Sequence, residues 1–261
     1  MPLDDSQLDR YARHIILREV GGAGQQRLLA SKVLVVGAGG LGSPLILYLA
    51  AAGIGTIGVV DDDTVSLSNL QRQIAHRTAD IGALKTASVA AAAGAINPDV
   101  KIVEHRVRLD AANAMELVSA YDVVCDGSDN FTTRYLLNDA CYFAGKPLVS
   151  GAILQFSGQV SVFKAHLGAP HPCYRCLFAE PPPPDLAPNC AEAGVLGALA
   201  GVVGSLQAVE ALKEVMGIGQ SLSGRLLLYD ALDTTIRTIG VPRDPDCPLC
   251  GLHATIRDLS R

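Results

Sequence analysis

Gly37-Ala38-Gly39-Gly40-Leu41-Gly42 satisfies G-x-G-x-x-G and directly follows the apolar run KVLVV at 32–36. Gly37 allows a tight turn, Gly39 lets the backbone approach phosphate, and Gly42 permits close helix–strand packing. The helix that such a turn opens offers free N–H groups and a positive dipole end to an anion. Asp61 lies 24 residues after Gly37, at the end of the next apolar run, where a carboxylate can take both ribose hydroxyls. Taken alone, the pattern suits NAD or FAD, a different nucleotide, or a glycine turn that binds nothing.

The residues that follow shift that balance. Asn69, Arg72, Gln73 and Lys85 lie in DDDTVSLSNLQRQIAHRTADIGALKTASVA, which starts at the end of the second strand. Each alone would usually be a solvated surface group. Clustered there, the cations suit a triphosphate, whose departing pyrophosphate they would stabilise. In CDGSDNFTTRYLLN, Asp126 and Asp129 fall at the end of another strand, where carboxylate oxygens suit Mg2+. Asp129 equally suits the N-cap of the helix that follows.

Four of the seven cysteines form two C-x2-C pairs, Cys173/Cys176 and Cys247/Cys250. Paired thiolates at that spacing, twice over, predict a four-cysteine zinc site with no open position, hence a structural one. Seventy residues separate the pairs, so the metal would clip the C-terminal tail back onto the body. Cys125 and Cys141 fall in apolar surroundings and read as core. Cys190, in PNCAEAG after a proline-rich stretch, is either a thiol activated at a helix start or an idle loop residue.

These residues need a frame. The pattern predicts an N-terminal helix over 6–20, strands at 32–36, 56–61, 101–107, 121–126 and 147–150, and helices at 41–52, 84–96 and 131–144. Alternating strands and helices imply an α/β, Rossmann-like, doubly wound and mostly parallel sheet with helices on both faces. After about Gly151 the pattern changes. SGQVSVFKA and GRLLLYDALDTTIRTIG read as an antiparallel extension, separated by the cysteines, EPPPPDLAP at 180–188 and an Ala/Gly-rich helix. Four consecutive prolines lack donors, so that run is a linker or a crossover loop over a site. The chain reads as a single domain, 1–261, with a nucleotide-binding part (1–150) and a partner-binding and zinc part (151–261).

Composition narrows the function classes. The 261 residues are 49% hydrophobic with a net charge of −5, enough for a substantial core and against a general nucleic-acid binder. The start MPLDDSQLDR lacks a basic region before an apolar core, and the uncharged run at 193–209 falls short of the ~20 strongly apolar residues of a membrane span. The expectation is a soluble, cytoplasmic protein without membrane or nucleic-acid partners. The odd cysteine count disfavours a secreted disulfide framework.

Beyond these motifs, RYARHIILREVGGAGQQRLLASKVLVVGAGGLGSP, DDDTVSLSNLQRQIAH, GALK, CDGSDNFTTRYLLN, PLVSGA, GQVSVF, PCYRCLF, CAEAGVLG, GSLQAVEALK and CPLC resemble the MoeB/ThiF group, relatives of the ubiquitin-activating enzymes. The resemblance covers essentially the whole chain and is closer to the MoeB branch. It implies ATP-dependent adenylation of the C-terminal glycine of a ubiquitin-like sulfur carrier ending in Gly-Gly, in molybdenum cofactor biosynthesis or in thiamin or another thiolation pathway. By the same resemblance, Asp61 holds ribose, Asn69, Arg72 and Lys85 contact phosphates, and Asp129 is linked to Mg2+. Arg13 would reach the phosphates of the other subunit of a homodimer, and Cys173, Cys176, Cys247 and Cys250 would hold Zn2+. Cys190 aligns with the thioester cysteine of the eukaryotic relatives. Sulfur would come from a separate donor, a cysteine desulfurase or a rhodanese. The proline run is longer than the family's crossover loop. Three other readings share some features: a dehydratase acting on a modified tRNA base (threonylcarbamoyladenosine) through the same fold, an NAD module, and a scaffold that only docks a partner.

Overall fold

The computed structural model describes residues 3–182 and 193–260. Eight strands form one sheet: β1 (Lys32–Val36), β2 (Thr56–Val60), β3 (Lys101–His105), β4 (Val123–Asp126), β5 (Leu148–Leu154), β6 (Ser157–Phe163), β7 (Arg225–Asp230) and β8 (Thr235–Gly240), in the order β3-β2-β1-β4-β5-β6-β7-β8. The pairings from β3 through to β5 are parallel and those from β5 to β8 are antiparallel. The sheet is therefore the expected one, Rossmann-like with an antiparallel C-terminal extension. β5 runs without a break through residue 150, and the chain reverses after Leu154 to enter β6.

Alternation along β1 shows why both faces must be covered. Val33 and Val35 join one core with Leu45, Leu49, Val89, Leu199 and Val203, while Leu34 and Val36 join a second with Val118, Val124, Tyr135 and Leu137. Four consecutive apolar residues, 33–36, are buried on both faces, the signature of a parallel sheet. The helices supplying the first core are α3 (Gly42–Ala52), α4 (Lys85–Ile96) and the long C-terminal helix α8 (Gly197–Met216). α5 (Ala114–Ser119) and α6 (Phe131–Ala144) supply the second. The uncharged Ala/Gly run thus packs on the sheet, and among the described residues no helix is long and apolar enough to cross a membrane.

The N-terminus departs from expectation. One helix over 6–20 was expected; the structure has α1 (Asp5–Ile15) and then α2 (Gly21–Ala30). Asp4 caps α1: its side chain accepts from the Gln7 N–H at 2.8 Å, and the Gln7 side chain closes a capping box. Gly21, at φ +55, separates the helices by a conformation that only glycine adopts readily. α5 and the one-turn α7 (Tyr174–Leu177) were not expected either, because runs of four to six residues show too little periodicity.

Candidate active site

The strand order reverses between β1 and β4, and a crevice opens outside their carboxyl ends. Gly37 (φ +95) closes the turn after β1, and its N–H donates to the Val60 carbonyl at the end of β2. A Cβ at Gly42 would fall 1.9 Å from the Gly37 carbonyl oxygen, so Gly42 serves packing and does not line the crevice. The crevice has a volume of about 730 Å3, within the range of small-ligand sites. Gly37, Gly39, Gly40, Asp61, Arg72, Gln73, Lys85 and Asp129 all line it. These side chains come from four separate stretches of sequence, and the fold delivers them to one cavity.

Local structure explains each placement. Asp61 turns back on the glycine turn: its Oδ2 accepts the Ala38 N–H at 2.7 Å and its Oδ1 the Asp63 N–H at 2.9 Å. Burial raises its pKa above the usual carboxylate value, outweighing the opposite pulls of the Ala38 N–H and Lys85. The segment after β2 loops out and returns through a bridge between Thr64 and Leu84. Lys85 thereby meets Asp63, with its N–H on the Asp63 carbonyl at 3.0 Å and its Nζ on Oδ2 at 2.7 Å. Asn69 does not line the cavity. Its side chain accepts the Ser66 N–H, and its carbonyl takes the N–H groups of Arg72 (3.1 Å) and Gln73 (3.0 Å). Asn69 therefore aims the two side chains that do reach the crevice.

Gln73 is buried, and its Oε1 has no hydrogen-bond partner among the described residues. A buried orphan acceptor at a cavity wall is costly unless a ligand or water satisfies it. The donor set as a whole fits a phosphorylated nucleotide: backbone N–H groups, two cations, one ribose-type acid and an unsatisfied amide.

The two aspartates after β4 separate. Asp126 is fully buried, paired with Arg134 Nε at 3.1 Å, and its Oδ1 accepts from the Ser128 N–H (3.0 Å) and hydroxyl (2.6 Å). Its carboxylate is used up inside the fold, which removes it as a metal ligand. Asn130 caps α6 through the Thr133 N–H at 2.8 Å, so the cap role goes to Asn130 and Asp129 stays exposed at the cavity. Asp62 and Asp63 also face the cavity, and the carboxylates of residues 61–63 lie within 4.8 Å of one another. Oxygen donors of this kind suit Mg2+. The DDD run was the signal that could have singled out Asp62 and Asp63.

Arg134, Tyr174 and Phe178 were also missed as cavity residues. Arg134 donates to Asp126 and to the Ser128 and Gly151 carbonyls, which spans the mouth of the sheet. Beyond them the cavity extends past Ala152 and Ile153 of β5 and Gly158 and Gln159 of β6. Glu180 and Pro182 line its rim. The rest of the proline run and Cys190 lie outside the described residues. Arg13 is exposed on α1 and does not line this chain's cavity.

The two cysteine knuckles meet. Sγ–Sγ distances are 3.9 Å for Cys173–Cys176, 3.5 Å for Cys173–Cys247 and 3.4 Å for Cys176–Cys250. These are far too long for a disulfide. They suit four sulfurs around one ion, because Zn–S bonds of about 2.3 Å at tetrahedral angles set sulfurs about 3.8 Å apart. Hydrogen bonds from the neighbouring thiols, that of Cys173 first, lower the pKa of the Cys247 thiol. Arg243 braces the site by donating to the carbonyls of Ala165 (2.8 Å), His171 (3.1 Å) and Cys250 (2.5 Å).

Comparison with known proteins agrees with this geometry. The chain is 55% identical over 251 residues to the SAMP-activating enzyme E1 of Haloferax volcanii, covering 96% of this chain and 92% of that one. It is 54% identical over 255 residues to the sulfur carrier protein adenylyltransferase of Thermus thermophilus, covering 97% and 94%. The crystal structure of E. coli MccB with ATP shares the fold, with a TM-score of 0.80 at 20% identity over 92% of this chain and 74% of that one. The ThiF family model matches residues 11–249, and the chain belongs to the ThiF family.

Proposed function

We propose that the protein is an ATP-dependent adenylyltransferase that activates the C-terminal glycine carboxylate of a ubiquitin-like sulfur carrier. The observation that carries this reading is one cavity that joins a glycine turn, a ribose-type acid and two cations to an open arm along β5 and β6. The relatives named an E1 and a sulfur carrier protein adenylyltransferase, each more than half identical, favour the same chemistry.

In this mechanism Asp61 accepts the ribose hydroxyls, and the backbone at Gly39 and Gly40 lies against the phosphates. The carrier's extended tail enters along the β5–β6 arm. Its terminal carboxylate oxygen attacks the α-phosphorus, and the α–β bridging oxygen leaves with pyrophosphate. Lys85 and Arg72 meet the charge that develops on the leaving group, and such aimed cations commonly contribute ~100-fold or more to rate. Asp129 and the neighbouring acids would hold Mg2+, which supplies further charge neutralisation at the phosphates. The four cysteines would hold a structural Zn2+. The acyl-adenylate makes the carboxyl an acceptor for sulfur from a separate donor, a cysteine desulfurase or a rhodanese: the donor's persulfide sulfur would attack the carbonyl carbon, AMP would leave, and a second thiol would cleave the acyl disulfide to release the thiocarboxylate and leave a disulfide on the donor.

Arg13, exposed and away from this cavity, would act across a homodimer at the partner's phosphates. Residues 1–150 would form the nucleotide-binding part and 151–261 the carrier-binding and zinc part. The closer likeness of the motifs to the MoeB branch favours molybdenum cofactor assembly as the pathway, in the cytoplasm. ATP–pyrophosphate exchange, measured with and without a ubiquitin-like protein ending in Gly-Gly, tests the reading. Exchange that needs the carrier is the expected result; no exchange with any of several such carriers would overturn it.

A further inference from the structure

His76 is buried behind the glycine turn and takes no part in the chemistry above. Its Nε2 lies 2.9 Å from the Ala38 carbonyl oxygen, its Nδ1 lies 2.8 Å from Ser88 Oγ, and Ser88 Oγ donates to Asp80 Oδ2 at 2.8 Å. The same Ala38 gives its N–H to Asp61. Both polar groups of one turn residue are thus held by ionisable side chains, one on each side.

A backbone carbonyl only accepts, so Nε2 must carry a proton. The Asp80 carboxylate only accepts, and hydrogen bonds from Ser88 and Arg77 hold its pKa below the usual value, so the single Ser88 proton points to Asp80. Nδ1 must then donate to Ser88 Oγ. Three contacts need three protons, and a neutral imidazole with one hydroxyl has only two. The neutral ring with its hydroxyl satisfies two of the three contacts, and the imidazolium satisfies all three.

Other forces oppose that charge. Burial, and after it the Lys85 cation, push the imidazole's pKa down, while the Ala38 carbonyl, Asp61 and Asp80 pull it up. A polyanion in the glycine turn adds a further upward pull from the opposite side. We propose that His76 is a positioning residue of the nucleotide site, fixing the Ala38 peptide through its Nε2 and taking up a proton from solvent when a nucleoside polyphosphate binds. The inference rests on the reading of the cavity as a nucleotide site.

The sign follows from linkage. A group whose pKa is raised by binding makes binding tighter below the raised value and weaker as pH climbs through it. Affinity for ATP should fall above that point by up to about tenfold per pH unit. Calorimetric titration of the full-length protein with ATP near neutral pH, in buffers of different ionisation heat, reads the proton directly. Because ATP titrates too, the comparison is with His76→Gln, which keeps a donor for Ala38 but cannot ionise. Wild type should take up at least about half a proton more per ATP than this variant. Asp80→Asn, at the exposed end of the chain, should show a deficit of the same sign without disturbing the core. Equal uptake in wild type and His76→Gln would overturn the proposal. Should that variant fail to fold, unchanged uptake in Asp80→Asn would overturn it. No saturable ATP binding by wild type in equilibrium dialysis would remove the nucleotide site itself, and this inference with it.

Discussion

At the scale of single residues, the cations divide by what holds them. Arg72 donates to the Ser68 carbonyl at 3.2 Å and has no ion pair among the described residues, whereas Lys85 is buried against the mostly exposed Asp63. Removing Arg72 therefore takes a cavity charge away and leaves the core alone. We expect Arg72→Ala to lower ATP–pyrophosphate exchange by ~100-fold or more with an unchanged urea midpoint. Lys85→Ala should lose as much exchange. Wild-type exchange in either variant would show that these cations do not face the reacting phosphates. Asp126 and Arg134 behave differently. Their buried pair is a structural lock, and breaking such a pair costs about 3–5 kcal/mol because the remaining charge stays in the interior.

At the scale of elements, the turn between β1 and α3 sets how closely a ligand can approach. The space at Gly42 is already filled by the Gly37 carbonyl, so a methyl group there must push α3 off the strand or open the turn. Gly42→Ala should destabilise the fold by about 1–3 kcal/mol, as overpacking commonly does, and weaken nucleotide binding at the same time. Urea denaturation together with ATP titration would check both. A variant of full stability and full affinity would mean that the turn has slack the structure does not show. The excursion between β2 and α4 is the other decisive element. It returns through Thr64 and Leu84 and carries Asn69, Arg72, Gln73 and His76 past the crevice before placing Lys85 beside Asp63.

At the scale of the whole molecule, one sheet joins the nucleotide crevice to the extension that ends in β8, and the cysteine cluster ties the tail to that body. The cluster packs with Ala165, Leu249 and Ile256 as a small core of its own. Metal there should be worth several degrees of melting temperature, at about 2–4 °C per kcal/mol for a domain of this size. Elemental analysis should find one zinc per chain. Chelation should lower the melting point by roughly 5–10 °C and expose residues 241–260 to protease, with ATP affinity less affected. A metal-free protein with wild-type melting would leave the four thiols without that role.

The frame was legible in the sequence because it is written in local period and spacing. β1 and α6 begin and end where the patterns at 32–36 and 131–144 predict. G-x-G-x-x-G and the two C-x2-C pairs announce their geometry within a few residues, since a turn or a chelating pair needs only its neighbours. Packing decided the rest. Asp126 and Asp129 look alike in sequence, yet only the tertiary structure buries the first against Arg134 and leaves the second at the cavity. Asn69 reads as a phosphate ligand, and the tertiary structure sets it off the cavity with its Oδ1 holding its own turn. His76 has no signal at all in the sequence, because its meaning depends on a carbonyl 38 residues away in the chain. Local pattern fixes which elements form. Which side chains are consumed inside the fold, and which remain free to meet a ligand, depends on contacts between segments that no short-range spacing encodes.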